Sequence, residues 1–190
     1  MRKALSYDDV LLTPTYSDIR SRSEISIQTD LGKGLKLRLP VIASPMDTIS
    51  EAAMAMELGY LGGTAVIHRY NTIEMQARNT SMAKDLGKEK YKVEIHVGAA
   101  VGVSGDFLKR ATACVDAGAT FLCVDIAQGH HILMQEALIS LRNLFGSDLH
   151  IMAGNVATLE GINSLADWGA DSVRCNIGGG SICSTRVQTG

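Results

Sequence analysis

Val41-Ile42-Ala43-Ser44-Pro45-Met46-Asp47 is the stretch on which the fold turns. A short apolar run ends in a polar turn, and a helical pattern begins a few residues later at Glu51. An open doubly wound α/β sheet usually carries a glycine motif after its first strand, and its ligand sits where the strand order reverses. Here a Ser-Pro-Met-Asp turn stands in that place. The turn favours the other parallel solution, a (β/α) barrel, in which the C-terminal end of each strand gives a loop to one shared face.

Downstream, short apolar runs alternate with helical patterns, as repeated βα units require. Six strands are expected, near residues 41–44, 63–67, 93–101, 121–125, 150–153 and 172–176. Helices are expected near residues 51–58, 72–86, 105–117, 132–145 and 159–168. In the third of these Phe107, Leu108, Ala111 and Val115 recur at helical spacing. Gly59, Gly118 and Gly169 are expected to stop three helices by taking a left-handed conformation. A polar or glycine residue follows nearly every strand: Ser44-Pro45-Met46-Asp47, His68-Arg69, Asp125-Ile126-Ala127-Gln128-Gly129, Gly154-Asn155 and the loop at Gly178. On a barrel these scattered segments become one site.

Eight βα units usually take about 250 residues, with a lower end near 200, whereas the chain has 190. The expectation is therefore the N-terminal part (residues 1–190) of a single (β/α)8 TIM barrel, α/β in class, completed by a further fragment or chain. An unclosed parallel sheet would otherwise expose two strand edges. An unusual six-stranded fold is the less favoured alternative.

A formal net charge of -2 with interspersed signs leaves no footprint for nucleic acid or a membrane surface. Any phosphate must be held locally, so the expected partner is a small molecule. The N-terminus meets Asp8 and Asp9 before an apolar core of a signal peptide forms, and no run reaches about 18 apolar residues. A cytoplasmic protein is expected. Cys114, Cys123, Cys175 and Cys183 show no CxxC or Cys/His ligand spacing. The first three fall inside helical or strand patterns and are expected as buried fillers. Asp125 ends an apolar strand, where an acid is costly unless it serves a ligand or a hydrogen-bond network.

Cys183 differs. It lies in Gly178-Gly179-Gly180-Ser181-Ile182-Cys183-Ser184-Thr185-Arg186. Consecutive glycines let backbone N–H groups approach an anion, and Ser181 adds a hydroxyl, so the loop can cradle a phosphate beside a thiol nucleophile. Taken alone, the loop reads equally well as a flexible connection with an incidental cysteine.

Five segments together, Leu5-Ser6-Tyr7-Asp8-Asp9-Val10-Leu11-Leu12, Ala43-Ser44-Pro45-Met46-Asp47-Thr48, Val97-Gly98-Ala99-Ala100-Val101-Gly102, Gly154-Asn155-Val156 and Gly180-Ser181-Ile182-Cys183, resemble the IMP dehydrogenase and GMP reductase family. The resemblance runs in order through essentially the whole chain. It implies a barrel enzyme of purine (GMP) biosynthesis that acts at C2 of a purine nucleotide, with Cys183 as nucleophile and Thr185 beside the reacting base. It further implies that Ser181 holds the nucleotide phosphate and that Ser44, Met46 and Asn155 border the nucleotide. Asp125, Ile126, Ala127, Asn176 and Gly178 would line the side of the cofactor, NAD, or NADP in a GMP reductase. Carbonyl groups of Gly178, Gly180 and Cys183 would ligate a monovalent cation, K+, and the family commonly forms homotetramers. The general base for hydrolysis would come from a flap beyond Gly190.

Two departures matter. Cys175-Asn176 stands where the family usually has an apolar residue and glycine. Only about 28 residues separate His68 from Val97, too few for the tandem regulatory (CBS) domain that most IMP dehydrogenases insert there. Val97–Gly102 and Asp125–His130 look closer to the dehydrogenase, whereas Met152–Asn155 and Thr185–Gly190 look closer to the reductase. The favoured expectation is a CBS-less IMP dehydrogenase, with GMP reductase as the alternative. A non-catalytic nucleotide-binding chain that needs a complementary fragment is the third reading, and the thiol argues against a flavin-dependent barrel.

Overall fold

The computed structural model describes residue 5 and residues 7–189. Ser6 of the Leu5–Leu12 motif, the first four residues of the N-terminal reading and Gly190 lie outside the described residues. A parallel sheet of six strands runs in sequence order: β3 (Ile42–Ala43), β4 (Thr64–Ile67), β5 (Val97–Val101), β6 (Phe121–Asp125), β7 (His150–Val156) and β8 (Ser172–Cys175). Five helices connect them: α1 (Ala52–Leu61), α2 (Ile73–Leu86), α3 (Phe107–Asp116), α4 (Ile132–Phe145) and α5 (Leu159–Asp167). Unbroken sequence order with a helix after each strand is the winding of a (β/α) barrel, and this is its first six-strand portion. Within the described residues β3 and β8 each pair on one side only.

The strands sort their side chains by parity. Along β6, Leu122 and Val124 face outward against Met134, Leu138 and Leu141 of α4. Phe121 and Cys123 face the interior with Val66, Ala100 and Met152. By period two Asp125 continues the interior row, so the carboxylate emerges at the strand's C-terminal end inside the sheet's curl. A third cluster, with Ala55, Ile67, Ala83 and Ile95, joins α1 and α2 to the first strands.

An antiparallel hairpin before the barrel, β1 (Thr29–Asp30) and β2 (Lys36–Leu37), was not among the expected elements. Its turn uses Gly32 and Gly34 at φ of +89° and +80°. Leu35 and Leu37 are buried in the same interior cluster as Phe121 and Met152, so the hairpin closes the end of the sheet opposite the strand C-termini. Lys33 of its turn pairs with Asp171 at 2.7 Å, next to β8. A short α6 (Thr185–Thr189) after the glycine loop is also additional.

Three expectations need correction. Gly59 does not end α1. The helix runs to Leu61, and Gly62 at φ +99° supplies the left-handed stop. Gly59 instead lets Ile95 approach, because a Cβ there would lie 2.7 Å from that side chain. Strand three begins at Val97 rather than at residue 93. Lys92 turns the chain at φ +57° after a one-turn π-helical segment, Gly87–Tyr91, and the Ile95 carbonyl goes to Lys84 Nζ (3.1 Å) instead of to a ladder. Cys175 is exposed, not a buried filler, because it ends β8 at the rim of the sheet. Gly118 and Gly169 do take left-handed conformations, at +99° and +110°. Cys114, Cys123 and Met56 are buried.

Candidate active site

The loops after β3, β4, β6, β7 and β8 meet over a cavity of about 970 Å³ at the C-terminal ends of the strands. Ser44 and Met46 come from the first loop, Asp125, Ile126 and Ala127 from the third, and Asn155 from the end of β7. Asn176, Gly178, Gly180, Cys183 and Thr185 come from the glycine segment. Every site residue named from the sequence therefore lines one cavity except Ser181, which is exposed outside the lining.

Each loop is fixed by contacts of its own. Ser50 Oγ donates to the Ser44 carbonyl, and the Ser50 carbonyl accepts from the His68 N–H at 3.2 Å. These bonds tie the Ser44–Asp47 turn to the end of β4. Buried His68 accepts at Nδ1 from the Tyr70 N–H (3.2 Å), so Nε2 carries the proton that faces Glu51 Oε1 at 3.2 Å. Asn155 Nδ2 donates to the Asn176 carbonyl (2.8 Å), and the Asn176 N–H donates to the Val156 carbonyl (2.8 Å). The glycine loop is thereby anchored to β7. Asn176 stands at φ +95°, a region where asparagine is the best substitute for glycine. Gly179 leaves room for the Asn176 amide, since a Cβ there would lie 2.5 Å from Asn176 Nδ2 and that side chain would have to shift.

The thiols separate by environment. Burial pushes the Cys114 thiol up to about 11 and the Cys123 thiol up to about 12. Cys183 is exposed, with Sγ 3.1 Å from Thr185 Oγ1. The Thr185 hydroxyl, and after it the Thr185 backbone N–H, hold this thiol below its ordinary value; slight desolvation opposes them and the Arg186 charge adds a smaller pull. A thiolate-stabilising position at the exit of a glycine loop is what a nucleophile requires.

Arg174 was missed in the sequence. From β8 its Nη1 binds one carboxylate oxygen of Asp125, and its Nη2 donates to Ser44 Oγ at 3.2 Å. It ties the Ser44 loop to the ends of β6 and β8 and pairs with the acid. Its signal was an arginine inside the Ser172–Cys175 strand, where a charge facing the interior demands a partner. The pairing leaves the second oxygen of Asp125 to accept from a ligand hydroxyl, so the residue still fits a ribose. The carbonyl oxygens of the glycine loop are the hard donors that a monovalent cation takes. The Gly180 carbonyl already accepts from the Cys183 N–H at 3.0 Å and keeps one lone pair.

Residues 4–190 match the family model described as the IMP dehydrogenase / GMP reductase domain. An inosine-5'-monophosphate dehydrogenase of Cryptosporidium parvum is 32% identical over 224 residues, covering 99% of this chain and 55% of that protein. The corresponding enzyme of Nitrosopumilus maritimus is 27% identical over 308 residues, covering 100% of this chain and 64% of that protein. A GMP reductase of Leishmania donovani is 25% identical over 315 residues, with 99% and 64% covered. The chain thus spans little more than half to just under two thirds of the length of the curated relatives it matches.

Proposed function

Because this chain belongs to the IMP dehydrogenase / GMP reductase family, we propose that it is the barrel portion of a purine nucleotide oxidoreductase that oxidises IMP to XMP with NAD. One observation carries the reading: the thiol of Cys183, held low by Thr185, opens into the same cavity as Ser44, Met46, Asn155 and Asp125.

In this reading the Cys183 thiolate adds to C2 of hypoxanthine, an electrophilic carbon between two nitrogens. The C2 hydrogen would then leave with its bonding pair; Asp125, Ile126, Ala127, Asn176 and Gly178 would hold NAD, whose nicotinamide would supply the hydride acceptor. Cys183 is left as a thioimidate. Water adds at C2, loses a proton, and the C2–S bond breaks to return the thiolate and release XMP. Thr185 assists at both ends by donating to sulfur. Ser44, Met46 and Asn155 border the nucleotide, Ser181 takes its phosphate, and carbonyls of Gly178, Gly180 and Cys183 would hold K+.

The connection from His68 to Val97 contains only α2 and the π-helical turn, which supports a barrel without an inserted regulatory domain. Among the described residues the unpaired sides of β3 and β8 support completion by further βα units, on this or a second polypeptide; the assembly proposed is a cytoplasmic homotetramer. GMP reduction with NADPH is the second reading, favoured by the Leishmania relative and by Met152–Asn155. Steady-state assays on the assembled protein separate the two. NADH formation from IMP and NAD is the expected result. NADPH consumption with GMP would assign the reductase, and nucleotide binding without either turnover would assign a non-catalytic role.

A further inference from the structure

Among the described residues, four other than glycine take a positive φ. Three of them, Lys33, Thr48 and Lys92, lie between +50° and +61°, inside the left-handed well that side chains tolerate. Asn176 stands apart at +95°, beside Gly62 and Gly118 at +99°. Glycine takes that conformation without steric cost, whereas a residue with a Cβ is strained there. A side chain kept at such a position points to a use for it.

The contacts show what the side chain does. The Asn176 N–H donates to the Val156 carbonyl, and the Asn176 carbonyl accepts from Asn155 Nδ2, both at 2.8 Å. With both backbone groups held, the carboxamide is set against Gly179: a Cβ built there would stand 2.5 Å from Nδ2 and 3.2 Å from Cγ. The amide therefore occupies the space over the Gly179 Cα. On one side of Gly179, Gly178 packs on the start of α6, where a Cβ would meet Arg186 N at 3.1 Å and Thr185 Cβ at 3.3 Å. On the other side, the Gly180 carbonyl accepts from the Cys183 N–H at 3.0 Å. Cys183 Sγ and Thr185 Oγ1, 3.1 Å apart, are thus each tied to a neighbour of the glycine on which the carboxamide rests.

We infer that Asn176 is a positioning residue whose carboxamide braces Gly179 and so holds the Cys183 thiol against Thr185. The inference rests on reading Cys183 as the nucleophile. Without the brace, three consecutive glycines with wide backbone freedom separate β8 from the thiol. The contact between sulfur and hydroxyl would then be made only part of the time, and the thiolate would lose part of its stabilisation.

The test is alkylation of Cys183 by iodoacetamide across a pH series, with fragment spectra that assign the label to Cys183 rather than to Cys175. Glycine suits φ +95°, so Asn176→Gly should fold. Its alkylation midpoint should nevertheless rise, and its rate at pH 7 should fall about three- to tenfold. Gly179→Ala pushes the carboxamide aside and should act in the same direction. In the double variant the new methyl group fills the space that the carboxamide leaves, and the midpoint should return toward that of the wild type, a rescue that a general loss of structure would not give. An unmoved midpoint in Asn176→Gly overturns the proposal. A double variant as slow as Asn176→Gly also overturns it, since the effect would not pass through Gly179. If Gly179→Ala does not fold alone, Asn176→Gly and the double variant still decide. A wild-type midpoint at the ordinary thiol value would sink the nucleophile reading and, with nothing to position, this proposal; a low wild-type midpoint indifferent to residue 176 sinks this proposal alone.

Discussion

Cys183 owes its lowered pKa to a neighbour two residues away rather than to a distant base. In the resting thiol Cys183 Sγ donates to Thr185 Oγ1; once the thiol ionises the same hydroxyl can turn to donate to the sulfur, and exposure spares the thiolate the desolvation that raises Cys114 and Cys123. Alkylation by iodoacetamide should therefore follow a thiolate titration whose midpoint lies below the usual thiol value of about 8.5. Rate falls as pH drops through that midpoint, because protonation removes the nucleophile. Thr185→Val should move the midpoint upward. A wild-type midpoint at or above the usual value, read by peptide mass across a pH series, would remove the activation argument. The thiol in its glycine loop was legible because its composition is unusual in a purely structural turn. Arg174 was not legible in the same way, since an arginine in a short strand is read as an edge or surface residue until the fold shows what it faces.

At the scale of elements, parallel strands and their helices were read from period and from terminators, and β6 and α4 agree residue for residue with the sequence reading. What escaped was set by contacts between elements. Gly59 looks like a stop, yet Ile95 from a distant segment needs the space above it. The hairpin escaped because two-residue strands have almost no periodicity, and its value lies in Leu35 and Leu37 reaching the barrel interior. The interior is tightly filled where β5 meets β6: a Cβ on Gly98 would lie 2.3 Å from the Phe121 ring, which is fully buried. Gly98→Ala should destabilise by about 1–3 kcal/mol through overpacking. Chemical denaturation would measure it, and an unchanged midpoint would mean that Phe121 can move aside and that the interior is looser than its packing implies.

For the whole molecule, the winding order gathers residues from Ser44 to Thr185 on one face, so that no single segment makes the site. The separation in sequence explains why the constellation could be anticipated from the barrel but not drawn: strand order assigns loops to a face, while the depth and shape of the cavity depend on anchors such as Asn155 to Asn176 and Arg174 to Asp125. Covalent chemistry at Cys183 is the claim that unites the face. The direct measurement is acid-quenched peptide mass spectrometry of the protein incubated with IMP and NAD. The predicted result is a purine nucleotide mass on the Cys183 peptide that requires NAD and is absent in Cys183→Ala, although that variant still binds IMP. An unmodified Cys183 under the same conditions, or the nucleotide found on another cysteine, would contradict it.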